Sequence, residues 1–350
     1  MMNLNNILRK ATGVALAGTL TLGALASNSF AANEYTGQPT GISKTLEVRD
    51  GVQIPNETFH FTVEPATPGE TETGKEAAPA GFVSLANDGN ITFGKDTEKT
   101  KSLGLNFDYS KISKPGIYRV AISETAGNRE GMTYDTAVRN VDLYVTRTAD
   151  GSLQISNVVV SNENGDKQDG NQGAAGNTAV SFKNRYGVDE NGDPTDTVSD
   201  LKVGKKISND SVLVENDKEF AFTVTIQGQV GDKYTYDGKT YEVENADTPV
   251  SFTVTAKNGQ TKTISGLTND DKVTVLETEE SKKGYTSSDE IETPKALSEI
   301  PDKTVIVTNI SESSVPTGII DNVLPFVLIV VVAGGFAYLY FKKNKKEELA

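Results

Sequence analysis

The chain has 350 residues, with 34 Lys plus Arg against 48 Asp plus Glu, one histidine and no cysteine. These counts exclude disulfides, thiolate metal sites, a cysteine nucleophile and two-histidine metal sites. A net charge of −14 argues against nucleic acid or anionic lipid as the main partner. As a prior, the length suggests two or three domains once the ends are set aside.

Residues 1–31 read as a secretory signal peptide. Arg9 and Lys10 supply a positive start, residues 11–26 are apolar and free of acids, and Ser29-Phe30-Ala31 presents the small residues that a signal peptidase reads, so the cut is expected after Ala31. From residue 40 to 312 the chain consists of short alternating segments, such as Phe59–Val63, Tyr118–Ile122, Phe220–Val224 and Thr304–Thr308. Turn residues such as Asp88-Gly89-Asn90 and Asn258-Gly259 punctuate them. Regular short strands with such turns predict an all-β fold built of β-sandwiches. The expected organisation is a first domain over 32–187, a linker over 188–199, a second domain over 200–312 and a tail over 313–350. Residues 161–178 read as a polar, Gly-rich loop. His60, between Phe59 and Phe61, should face solvent by strand alternation and so take no part in catalysis. Asp189, Asn191, Asp193 and Asp196 hint at a calcium loop, but Pro194 and Asp200 stand where such a loop needs Gly and Glu, which favours a plain polar linker. No metal or other cofactor is expected.

Strand parity carries the strongest signal. Residues of equal parity share one face of a strand. Ile42, Lys44, Leu46 and Val48 share a face, as do Tyr118, Val120, Ile122 and Glu124, and then Val180, Phe182, Asn184 and Tyr186. The second domain repeats the pattern with Leu201, Val203, Lys205 and Ile207, with Val273, Val275 and Glu277, and with Val305, Val307 and Asn309. A Lys, a Glu and an Asn thus intrude, in that order, on apolar faces in both domains, although buried unpaired charges cost several kcal/mol. Parity alone leaves two readings. One is a buried Lys–Glu ion pair hydrogen-bonded by Asn. The other is a reaction: burial yields a neutral lysine amine, a nucleophile, and a neutral Glu that polarises the Asn carbonyl and carries protons from the attacking amine to departing ammonia. Phe182, Tyr186 and Tyr118 are expected to keep water out.

At the C-terminus, Val315-Pro316-Thr317-Gly318 precedes an uncharged run over 323–341, long enough to span a bilayer as a helix, and a basic tail over 342–350. This order resembles a sortase sorting signal, with Val315 in the place usually held by Leu. In that family the Thr317–Gly318 bond is cut and the Thr carbonyl passes through an enzyme thioester to an amine. Removing the signal peptide takes away Arg9 and Lys10, and removing 318–350 takes away one further net positive charge. The exported piece, 32–317, would then carry about −17.

Together the segments ISKTLEV, IPNETFHFTVEP, PGIYRVAISE, GMTYDT and SFKN, then LKVGKKIS, VTVLETEE and VIVTN, then VPTG, resemble the T-antigen-type major (backbone) pilins of Gram-positive bacteria. The resemblance implies two tandem Ig-like, CnaB-type sandwiches, each with a self-made isopeptide bond. These would be Lys44–Asn184 assisted by Glu124 and Lys205–Asn309 assisted by Glu277. It further implies a pilus shaft subunit, rather than an enzyme acting on external substrates, and a location in the cell wall and surface pilus after a transient membrane anchor. The implied partners are a pilus-specific sortase, neighbouring copies of the same pilin, minor pilins, cell-wall peptidoglycan and a host surface ligand. Thr317 would be joined to a lysine of the next subunit. Lys167 fits best, because Val158-Val159-Val160 and the polar stretch that follows resemble the acceptor segment, although a longer Gly-rich insertion separates it from SFKN; Lys183 is second. The alternative is a wall-anchored adhesin or a tip or base subunit with the same domains.

Overall fold

The computed structural model describes residues 41–311 apart from 168–170, 173–177, 209–210 and 212–213. The expected signal peptide, the 315–318 motif, the apolar run 323–341 and the basic tail lie outside the described residues. Among the described residues no helix is long and apolar enough to cross a membrane.

The described chain is nearly all β, as its alternation predicts, and divides into two compact units between Val198 and Ser199. In the first unit the strand Gly41–Val48 has every second residue buried, because Ile42, Lys44, Leu46 and Val48 all point into the core. It lies between Thr178–Tyr186, to which it is parallel, and Thr100–Phe107, to which it is antiparallel. The facing sheet runs in the order Leu153–Ser161, Arg139–Arg147, Gly116–Thr125, Glu57–Pro65 and Asn90–Phe93. Apolar residues from both inner faces form a single core. His60 is exposed, and its Nδ1 lies 2.8 Å from Asn90 Oδ1 on the neighbouring strand.

The first unit also carries a buried charge cluster on the outer side of its second sheet. Arg119 donates to Asp142 through two nitrogens, at 2.6 and 2.9 Å, and also to Glu72, while Lys75 bridges Glu72 and Asp142 at 2.7 Å each. These contacts fasten the short strand Lys75–Ala77 alongside Gly116–Thr125.

Residues 188–199 have the polar composition of a linker, yet 188–198 belong to the first unit. Val198 is fully buried in its core, Val188 bridges to Pro194, and Asp189 Oδ1 accepts from the backbone N–H of Asn191 and Asp193. The carboxylate that hinted at a calcium ligand here closes a turn.

The second unit opposes two sheets. One runs Lys239–Glu242, Lys233–Tyr236, Thr261–Thr268, Val198–Ile207, Thr304–Ser311 and Tyr285–Ser288; the other runs Val250–Ala256, Phe220–Gln227, Lys272–Glu277 and Ile291–Ala296. Its first and last long strands again pair in parallel.

One feature of this core breaks the apolar pattern. Asp232 and Asp271 are both buried; Asp232 Oδ2 accepts from Gln229 N at 2.7 Å and Asp271 Oδ2 from Thr268 N at 2.8 Å. Both carboxylates and the Tyr234 hydroxyl crowd Gly228, where a Cβ would come within 3 Å of each, so only glycine fits. Burial, reinforced by the Asp232 charge, pushes the Asp271 carboxyl up to about 8. A folded-state value above the ordinary one gives stability that is full below about pH 4 and is lost as pH rises through 8. Denaturant unfolding followed by circular dichroism should show the second unit weakening across that window, by on the order of a few kcal/mol. Asp271→Asn should flatten the dependence, whereas an unchanged pH slope would contradict the shared burial.

Two buried Lys–Glu–Asn sites

Register explains why each Lys and Asn meet. In the parallel pair of the first unit Lys44 stands beside Phe182 and Leu46 beside Asn184. Lys44 and Asn184 therefore face the same way on adjacent strands, offset by two residues, and the longer lysine side chain spans the offset. Glu124 reaches them from the opposite sheet, on the strand Gly116–Thr125, where it stands beside Phe61. Lys44 and Asn184 are 0 % exposed and Glu124 is 6 % exposed.

The Glu124 carboxylate bridges the other two side chains. Lys44 Nζ donates to Oε2 and Asn184 Nδ2 donates to Oε1. Asn184 Oδ1 accepts from the backbone N–H of Asp135 at 2.7 Å. The sequence reading placed the Glu against the Asn carbonyl; here it lies against the amide nitrogen, and the carbonyl is polarised by Asp135. Burial pulls the Lys44 amine down to about 8, outweighing the opposing pull of Glu124, and burial likewise raises Glu124.

The second unit repeats the arrangement residue for residue. Lys205 stands beside Val307 and Ile207 beside Asn309, giving the same offset of two. Glu277, beside Phe222 on the facing sheet, accepts from Lys205 Nζ at 2.8 Å and from Asn309 Nδ2 at 3.0 Å. All three are buried, and burial lowers the Lys205 amine. One difference stands out: Asn309 Oδ1 is buried without a hydrogen-bond partner among the described residues.

Each lysine also rests on two phenylalanines that the sequence reading did not assign to the site. Lys44 Nζ lies 4.6 Å from the Phe59 ring centre and 5.9 Å from Phe61; Lys205 Nζ lies 4.5 Å from Phe220 and 5.8 Å from Phe222. The signal was present as Phe-X-Phe-Thr-Val at 59–63 and again at 220–224. Of the rings expected to exclude water, Phe182 packs edge-on against Phe61. Tyr118 instead packs against Phe82, and its hydroxyl donates to Lys114 O.

Lys167 is exposed, bridging back to Ser161 just after a turn over Asn162–Asp166 that Gly165 completes at φ +82°. Lys183 is half-exposed and binds Glu47 at 2.6 Å. Val315, Pro316, Thr317 and Gly318 lie outside the described residues. Among the described residues no group of three or more His, Cys, Asp or Glu is placed to hold a metal ion.

Each of the two sandwich units thus holds a lysine and an asparagine on adjacent parallel strands, joined through one buried carboxylate. Residues 40–187 match the family described as the Spy0128-like isopeptide containing domain, and residues 199–311 match a domain family of unknown function, DUF7601. A curated pilin of Streptococcus pyogenes serotype M1 is 24 % identical over 93 % of this chain and 98 % of its own length. The crystal structure of the major pilin of Streptococcus pyogenes superposes with a TM-score of 0.51 at 21 % identity, covering 79 % of this chain and 99 % of that one. A mutant form of that pilin gives a TM-score of 0.52 at 20 % identity, over the same shares of the two chains. By these matches the first unit is similar to the isopeptide-containing domain family, and the chain over most of its length is similar to the pilins of Streptococcus pyogenes.

The depressed Lys44 amine has a measurable consequence in a chain that keeps the lysine and the carboxylate of the pocket but not the amide. In Asn184→Ala, a folded-state value near 8 against an unfolded 10.5 should cost stability below pH 8 and restore it as pH rises toward 10.5. The span corresponds to about 3 kcal/mol. Chemical denaturation of Asn184→Ala against Lys44→Met/Asn184→Ala isolates it. Parallel pH profiles in the two chains would rule the shift out.

Proposed function

We propose that the protein is the shaft subunit of a sortase-assembled pilus and that each of its domains cross-links itself. The observation that carries this reading is the recurrence of one Lys–Glu–Asn arrangement, with the same strand offset and the same aromatic floor, in both cores.

The chemistry follows from the hydrogen bonds. Lys44 Nζ, as the neutral amine, attacks Asn184 Cγ. Its surplus proton passes to Glu124 Oε2 while Oε1 delivers one to Asn184 Nδ2, the atom already against it. The Cγ–Nδ2 bond breaks, ammonia leaves, and an Nζ–Cγ amide remains with the carboxyl group unchanged. Lys205, Glu277 and Asn309 act in the same way. Fixed proximity of nucleophile and amide, on the order of 10⁵ M or more in effective concentration, replaces an enzyme. Between subunits, the sorting motif Val315-Pro316-Thr317-Gly318 supplies the acyl donor at Thr317 and Lys167 supplies the amine. The exposed position of Lys167, just past a turn, suits access by a sortase, while Lys183 is held by Glu47.

Residues 32–317 should weigh less than their sequence mass by two ammonia molecules, and Glu124→Ala or Glu277→Ala should each restore one. An intact mass equal to the sequence mass would leave only the buried ion pairs. In the native bacterium, wall extracts should give an SDS-resistant ladder that Lys167→Ala abolishes, leaving attached monomer, while Thr317→Ala abolishes both. A ladder that survives Lys167→Ala moves the acceptor to another lysine, and a single wall-attached band in the parent strain indicates an adhesin instead of a shaft subunit.

A further inference from the structure

Amide attack places negative charge on the carbonyl oxygen, and a donor fixed at that oxygen is commonly the largest single aid to such a reaction. In the first unit one group already occupies that place: the Asp135 backbone N–H, 2.7 Å from Asn184 Oδ1. It lies outside the regular strands, so it is held by its own side chain. Asp135 Oδ2 accepts from the backbone N–H of Lys183 at 3.1 Å, on the very strand that carries Asn184. Oδ1 accepts from Ala137 N at 3.1 Å, closing the local turn. Arg139 Nη2 donates to both oxygens, at 3.0 and 3.3 Å, and its guanidinium stacks over Phe182 at 5.0 Å, so the carboxylate is neutralised and held. Two consecutive groups of the Asn184 strand, the Lys183 N–H and the Asn184 carbonyl, are thus gripped by one residue.

We propose that the Asp135 backbone N–H is the oxyanion donor for Lys44–Asn184 bond formation and that the Asp135 carboxylate is the positioning group that aims it. This inference rests on the cross-linking reading above. It also separates the two domains. In the second, Asn309 Oδ1 meets no donor among the described residues, so within them the first-domain reaction has a preorganised device without a counterpart.

The test follows bond formation in the full chain made by a short pulse of cell-free synthesis, quenched in acid at intervals and digested. The peptides joining Lys44 to Asn184 and Lys205 to Asn309 are quantified separately. Asp135→Ala should slow the first bond by tenfold or more and leave the second unchanged, whereas Asp135→Asn, which keeps the shape and part of the grip, should stay within about threefold of the parent. Folding is checked by the melting transition of each variant in a Lys44→Met background, where no first bond can form. The decisive variant replaces Asp135 with its α-hydroxy analogue by nonsense suppression, which deletes only the N–H and keeps the carboxylate. It should slow the first bond on the order of 10²-fold, and a parental rate in this ester would overturn the proposal even if Asp135→Ala failed to fold. A parent chain that yields neither joined peptide would instead overturn the cross-linking reading, and this inference with it.

Discussion

The core of each domain holds a lysine amine against a carboxylate, both side chains wholly shielded from solvent. Removing two charges from water costs several kcal/mol per ion, and their mutual attraction repays it only with good geometry. A well-packed apolar pair would serve stability as well or better. That the same costly contact recurs at Lys44–Glu124 and Lys205–Glu277 is best accounted for by what the contact enables. Burial pulls the Lys44 amine down toward neutrality and raises Glu124, bringing both toward the uncharged forms that amide formation needs. The phenylalanines beneath each lysine serve two ends. They cover the amine against solvent, and their ring faces offer an ammonium a weak electrostatic partner.

Around this shared centre the two domains use different supports. In the first, the Asn184 amide is gripped at both ends, by Glu124 and by the Asp135 segment. In the second, the neighbouring polar groups act on the backbone beside the site. Asn258 Oδ1 accepts from Ile207 N at 2.7 Å, two residues past Lys205, and Glu290 Oε1 accepts from Glu277 N at 2.6 Å. These bonds fix the strands that carry the lysine and the carboxylate, and among the described residues none reaches the Asn309 side-chain carbonyl. The common element is the pairing register and the aromatic floor; the polar surroundings are particular to each domain.

Much of this was legible in the sequence because a strand's side chains alternate with period two. That rule alone put Lys44, Glu124 and Asn184 on inward faces, and Lys205, Glu277 and Asn309 after them. What it could not supply were contacts made by irregular backbone. Asp135 acts through its N–H, which carries no trace in residue type, and its segment is neither strand nor helix. The roles of Phe59 and Phe220 depend on which strand lies opposite, although their repeated Phe-X-Phe-Thr-Val setting was open to view. Residues 188–199 look like linker by composition, but Val198 was enough to bury their end in the first core. Tyr118 shares a face with Glu124, yet it stands six residues along the strand, roughly 20 Å away at strand rise, too far to shield the carboxylate.

The topology gives the proposed amides their physical value. In each unit the bonded strands are the first and last long ones, paired in parallel, so their residues are distant in sequence and adjacent in space. A chain without cysteine has no disulfides to restrict its unfolded state. An amide from Lys44 to Asn184 would close a loop of about 140 residues, and one from Lys205 to Asn309 a loop of about 104. By the chain-entropy relation used for disulfides, closures of that length are worth about 5 kcal/mol each, comparable to the whole stability of a small domain. An amide also resists reduction, which a disulfide does not. Joining the two ends of a sandwich places the link where opening would otherwise begin, since first and last strands part without disturbing any connection between them. The constraint that makes the site costly, a polar triple sunk in an apolar core, is therefore the same one that puts the bond where it restrains the most chain.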